Sequence, residues 1–149
     1  MYDPTILLTF GGIICFLISI LHVVIIIVGP KAYHYFGAGE DLTKLAEKHS
    51  VIPTLVTSFI AAVLAVFGLY AFSGAGKFSP MPLLGPILIL IGFIFSVRGL
   101  ILPYQLFTLL TKPQKAEVKE IFFSLISLYA GFCFLYGAKI NWDFILTLP

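Results

Sequence analysis

The sequence predicts an all-α integral membrane protein, a left-handed four-helix bundle with both termini on the non-cytoplasmic side. Three observations lead there. The 149-residue chain is 60% hydrophobic and only 11% charged, against about 25% charged in soluble domains. Four apolar runs, approximately 5–28, 51–72, 83–102 and 121–138, fill most of it, each near the roughly 20 residues that cross about 30 Å of hydrocarbon. Each run also carries small residues at alternating steps of three and four, the pattern of closely approaching membrane helices. The runs are continuous rather than alternating, which favours helices over a transmembrane barrel. They leave room for a single transmembrane domain, 1–149, and no separate soluble one.

The first run reads as a retained helix rather than a cleaved signal peptide. Asp3 and Pro4 precede it in place of Lys or Arg, and it ends Ile25-Ile26-Ile27-Val28-Gly29-Pro30 without a small-x-small cleavage pattern. Its small or weakly polar seam is Gly12, Cys15, Ser19 and His22. The first connection opens with the Gly/Pro-bounded stretch GPKAYHYFGAGED, whose Tyr33, Tyr35 and Phe36 suit a membrane interface. An interfacial amphipathic helix over approximately 41–50 follows, with Leu42, Leu45, Ala46 and His49 on one face, Asp41 as cap and Pro53 as stop. Such a helix lies flat on the bilayer or covers a pocket.

The second run aligns Thr54, Ser58, Ala61, Ala65 and Gly68. Ser73 to Pro80 form a tight loop with no phosphate-loop pattern. The third run aligns Gly85, Gly92, Ser96 and Gly99; the fourth aligns Ser124, Ser127 and Gly131. A mean spacing of 3.5 residues favours left-handed crossings near about +20°. Beyond the fourth run, Trp142 and the apolar tail Phe144–Leu148 return to the outer interface.

Lysine placement sets the orientation. The first connection holds Lys31, Lys44 and Lys48, and the third holds Lys112, Lys115 and Lys119, against Lys77 and Lys139 on the opposite side. The positive-inside rule then puts the first and third connections in the cytoplasm, making this a multi-pass inner-membrane protein if bacterial. A net charge of +2 argues against nucleic acid. Cys15 and Cys133 sit inside apolar runs as small packing residues. His22, His34 and His49 lack metal-ligand spacing, no Ser or Cys has a readable paired base, and no cofactor motif is present. Unused small-residue seams would serve a homo-oligomer.

One residue stands out. From Leu83 to Leu110, Arg98 is the only charged side chain, and none of the four runs contains Asp or Glu. An ionisable group at bilayer depth faces a bundle interior, a cavity or an anionic partner. His22 and Arg98 fall at similar depth, roughly 7–10 Å below the cytoplasmic interface at 1.5 Å per residue, with Tyr104, Gln105, Tyr33 and His34 around them. Three readings compete for Arg98: snorkelling to interfacial phosphate, hydrogen bonds to carbonyls freed near Pro103 or to Glu40 or Asp41, and a ligand site gripping an anionic lipid or small anion. Arg98 lies some 100° off the glycine seam and is expected to meet a different neighbour from the glycines. A faint echo, Phe16-x-x-Ser19 with His22 against Phe93-x-x-Ser96 with Arg98, would fit a duplicated helix pair.

With GPKAYHYFGAGED after the first helix and Ser73-Gly74-Ala75-Gly76 after the second, the chain resembles a group of small, uncharacterised four-span bacterial membrane proteins. That resemblance implies an inner-membrane location and no activity. In size and topology the chain is also similar to the membrane-associated eicosanoid and glutathione metabolism family, trimers of four-helix protomers that bind glutathione through buried arginines. That family's Arg, Asn and Glu cluster at the start of its second helix is replaced here by Lys48, His49, Ser50 and Pro53, so no functional residue carries over. The expected function is non-enzymatic, supporting envelope or transport function. A glutathione-transferase-like enzyme and a small pore or transport accessory are the alternatives.

Overall fold

The computed structural model describes residues 5–77, 79–112 and 117–147, and among these every regular element is a helix. The order is α1 Thr5–Val28, α2 Pro30–Tyr35, α3 Glu40–Glu47, α4 Ile52–Gly74, α5 Leu84–Gly99, α6 Leu102–Thr111, α7 Val118–Ile140 and α8 Trp142–Thr147. Asp3, Pro4, Phe78, Lys115 and Leu148, used above, lie outside the described residues. Four helical stretches are long and apolar enough to cross a membrane: α1, α4, α5 continuing into α6, and α7. Their exposed surfaces are apolar, with Leu17, Phe59, Leu90, Phe93 and Phe122 all turned outward. The inside–outside contrast of a soluble protein is absent on these faces, as a lipid solvent requires.

The chain packs as two units, Met1–Gly12 with Leu69–Pro149, and Ile13–Gly68. In the first, the start of α1, the end of α4, α5 and α7 meet around Leu8, which is fully buried. A Cβ at Gly74 or Gly137 would touch the Leu8 side chain at 3.0 or 2.9 Å. The α5–α7 seam is tighter. A Cβ on Gly92 would lie 2.7 Å from Leu135, one on Gly99 2.9 Å from Leu128, and one on Gly131 2.5 Å from Ser96 Oγ and 2.9 Å from its backbone nitrogen. Phe95 and Phe134 stack at 6.0 Å between centroids. Ser73 closes the α4–α5 turn by donating to the Ser79 carbonyl and accepting from the Met81 amide. Trp142, at the start of α8, lies against Gly85.

In the second unit, Ser19 donates to the Ala61 carbonyl at 2.7 Å and the Phe16 ring lies on Gly68. The seam of α4 differs here from its expected line. Thr57, Ala61 and Gly68 are buried and Ala65 half-buried, while Thr54 and Ser58 are exposed. The packed row therefore enters one residue earlier, through Pro53 and Thr57, because Thr57 rather than Ser58 stands four residues before Ala61.

The connection to α4 holds two short helices where one was expected. Pro30 occupies the first turn of α2, where its missing N–H costs nothing and its fixed φ suits a helix. Ile25, Ala32, Tyr33 and Ala46 form a small buried cluster with Leu21 and Phe36 packed against it. Gly39, at φ 92, precedes α3, so Asp41 sits in the first turn rather than at the cap. His49 adopts φ 56, with the Ser50 amide bonding to Leu45 and the His49 amide to Ala46. That left-handed closure ends the helix, and His49 is exposed rather than on its apolar face.

Candidate polar cleft at the α5–α6–α7 junction

Arg98 has an acidic partner after all. Its Nη2 lies 3.5 Å from Glu120 Oε2 and its Nη1 donates to Ser124 Oγ at 3.1 Å. Helix α7 begins at Val118, three residues before the apolar run, so Glu120 is already helical and stands one turn below Ser124. Hydropathy bounds the helix at the apolar run and so leaves Glu120 outside it. Glu120 continues the Ser124, Ser127, Gly131 row backwards by four residues, and that spacing could have found it. Neither Glu40 nor Asp41 is needed.

Arg98 also reaches the same neighbour as the glycines. Gly92 and Gly99 approach Leu135 and Leu128 of α7, and Arg98 bonds to Ser124 of that helix. A long flexible stem overcomes the 100° offset of its Cα. The guanidinium is not sealed in: its side chain is 41% exposed, and that of Glu120 is 30% exposed.

Just beyond Arg98 the third span breaks. Leu100 and Ile101 separate α5 from α6, and Pro103 falls in the first turn of α6. Proline has no N–H to return to the Gly99 carbonyl and its ring disfavours a straight continuation. The chain stays helical, so the apolar stretch runs on to Thr111 instead of ending near Leu102. Past the break α6 stands off from α7, and the space between them is a cleft of about 550 Å³.

The cleft walls are mixed, with Tyr104, Phe107 and Ile121 beside polar groups. Gln105 and Thr108 come from α6 and Lys112 follows its last residue; Glu120 comes from the first turn of α7 and Glu117 immediately precedes that helix. Leu106 and Leu110, on the other side of α6, are exposed. Thr108 and Thr111 donate their hydroxyl protons to the carbonyls of Tyr104 and Phe107. Gln105 Oε1 is buried without a hydrogen-bond partner among the described residues. Lys119 pairs with Glu117 at 3.1 Å.

The structure thus brings Arg98 into one neighbourhood with Glu120 and Ser124, beside a cleft lined by Tyr104 and Gln105. Tyr104 itself is largely exposed. His22, Tyr33 and His34 belong to the other unit. There His22 is half-buried, with Nδ1 2.8 Å from the Ile18 carbonyl, an arrangement in which Nδ1 carries the proton and donates. Tyr33 is 3% exposed with its hydroxyl unpartnered among the described residues, and His34 is exposed. Compared with known proteins, the chain matches no family model, no curated protein and no solved structure.

Proposed function

We propose that the chain is a multi-pass inner-membrane protein, non-enzymatic and homo-oligomeric, that supports envelope or transport function and holds a phosphate-bearing headgroup or small anion at Arg98. The lysine distribution supports an orientation with the first and third connections, and hence the Arg98 end of α5, towards the cytoplasm. One observation carries the reading. Ser124 and Glu120 engage only part of the guanidinium, whose half-exposed remainder still offers donors in the planar fork that suits phosphate. Glu120 lowers the cost of keeping this charge at depth without enclosing it.

Mass spectrometry that retains bound lipid tests the proposal on the full-length protein and on Arg98→Leu. The wild type is expected to carry a discrete phospholipid or anion adduct on a multi-chain assembly. Arg98→Leu is expected to keep the subunit number and lose the adduct. Identical spectra for the two proteins would remove the site, and a monomer throughout would remove the oligomer.

A further inference from the structure

A second recess runs along the α5–α7 seam, away from Arg98 and towards the other end of α7. Leu128, Phe132, Leu135 and Lys139 recur at steps of four, three and four, so they share one helix face with Tyr136. Together with Ser96 of α5 they line a groove of about 450 Å³. The groove follows from the small residues of the seam. Gly92 and Gly131 hold the two backbones close, and the larger side chains beside them stand out as walls. Phe132 and Tyr136 stack at 5.3 Å between centroids, 12° from parallel, so the α7 wall is continuous over a turn. The Ser96 hydroxyl is already committed to the Gly92 carbonyl, and this stretch of the lining is otherwise apolar.

One end is different. Lys139 stands in the last turn of α7, just before Trp142, a residue type that suits interface depth. Its side chain is exposed, and the ion pairs among the described residues engage other groups. Asp143, one turn further on, makes none with it. An ammonium has three donors and no acceptor, so its complement is an anionic acceptor. From Leu128 to Lys139 the helix rises about 16 Å at 1.5 Å per residue, close to half of the roughly 30 Å hydrocarbon core. We propose that the groove holds one acyl chain of an anionic phospholipid whose phosphate sits on Lys139, in the leaflet opposite that of Arg98. This site goes beyond the Arg98 reading and does not depend on it. A headgroup with its own ammonium gains less from a single lysine, so the preferred lipid carries a net negative charge.

Arg98→Leu supplies the background for the test, since it removes the other phosphate site. The purified full-length variant is titrated with palmitoyl-oleoyl phosphatidylglycerol and phosphatidylcholine, and bound lipid is read by mass spectrometry. Phosphatidylglycerol is expected to be retained roughly fivefold better, the worth of one lysine at an anionic lipid surface. Adding Lys139→Gln is expected to abolish the preference and Lys139→Arg to keep it, both with thermal stability unchanged because the side chain is exposed. A phosphatidylglycerol with a mid-chain diazirine, carried in phosphatidylcholine vesicles, locates the acyl chain. Its labelling is expected to concentrate on Leu128, Phe132 and Leu135, and to fall to the level of other lipid-facing residues in Lys139→Gln. No preference, a preference unchanged by Lys139→Gln, or labelling spread evenly over the exposed helix faces would each overturn the proposal and leave the Arg98 reading untouched. Phe132→Cys is expected to stay unlinked when the vesicles are oxidised with copper phenanthroline. A chain-to-chain disulfide there would put a second copy in the groove and overturn the lipid site.

Discussion

Gly131→Ala is expected to destabilise the protein by about 3 kcal/mol, at the upper end of the usual cost of overpacking. The added methyl would lie 2.5 Å from Ser96 Oγ, 2.9 Å from the Ser96 nitrogen and 3.1 Å from the Gly92 carbonyl oxygen. Two of those three atoms are backbone and cannot swing aside, so α5 and α7 must part. Parting them would also disturb the Ser96 bond to the Gly92 carbonyl and the nearby approach of Gly92 to Leu135. Gly68→Ala is the matched control: the nearest atoms to its methyl are ring atoms of the Phe16 side chain rather than backbone, a side chain can shift, and the expected cost is below about 1 kcal/mol. Thermal unfolding in detergent, followed by the loss of monodisperse protein, reads both. Equal losses for the two glycines would show that α5 and α7 do not approach as described.

Removing one member of the Arg98–Glu120 pair is expected to cost more than removing both. Glu120→Leu leaves a guanidinium held only by Ser124, and Arg98→Leu leaves a carboxylate at the start of α7 without its partner. Each single change is expected to cost about 1–3 kcal/mol, between the small worth of an exposed pair and the larger penalty of an orphaned buried charge. Partial exposure of both side chains keeps the figure below the fully buried limit. The double variant Arg98→Leu with Glu120→Leu is expected to recover most of the loss, because two apolar side chains suit this depth. A double-variant cycle on unfolding in detergent measures the coupling. Strictly additive losses would mean that the two groups do not interact in the folded protein.

The transmembrane plan was legible because lipid leaves few alternatives. Hydropathy and length identify α1, α4, α7 and the start of the third span within a few residues, since every backbone polar group at depth must be satisfied inside a helix. The glycines of α5 were legible for a related reason: Gly92 and Gly99 recur at seven, and both fall on the seam with α7. Hydropathy failed where polar residues remain helical. Glu120 lies outside the apolar run yet inside α7, and Gln105 and Thr108 belong to a helix that continues past Pro103. In both cases the boundary was drawn at a change of composition, whereas the backbone hydrogen bonds run on. Thr54 and Ser58, exposed within one protomer, form a second small-residue row beside the packed one through Thr57, and hydropathy alone does not separate the two.

The central claim is that α6 presents Gln105 and Thr108, together with Tyr104 and Phe107, to a water-accessible cleft and turns Leu106 and Leu110 towards lipid. Single cysteines at Thr108 and Leu106, each placed in the full chain, test it directly, since both native cysteines are buried. A membrane-impermeant, water-soluble maleimide applied to opened membrane vesicles is expected to label Thr108→Cys readily. Leu106→Cys is expected to stay unlabelled even though Leu106 is 42% exposed on the protein, because lipid rather than water covers it. Labelling of Leu106→Cys with Thr108→Cys protected would contradict the account, for the helix would then present its faces the other way round.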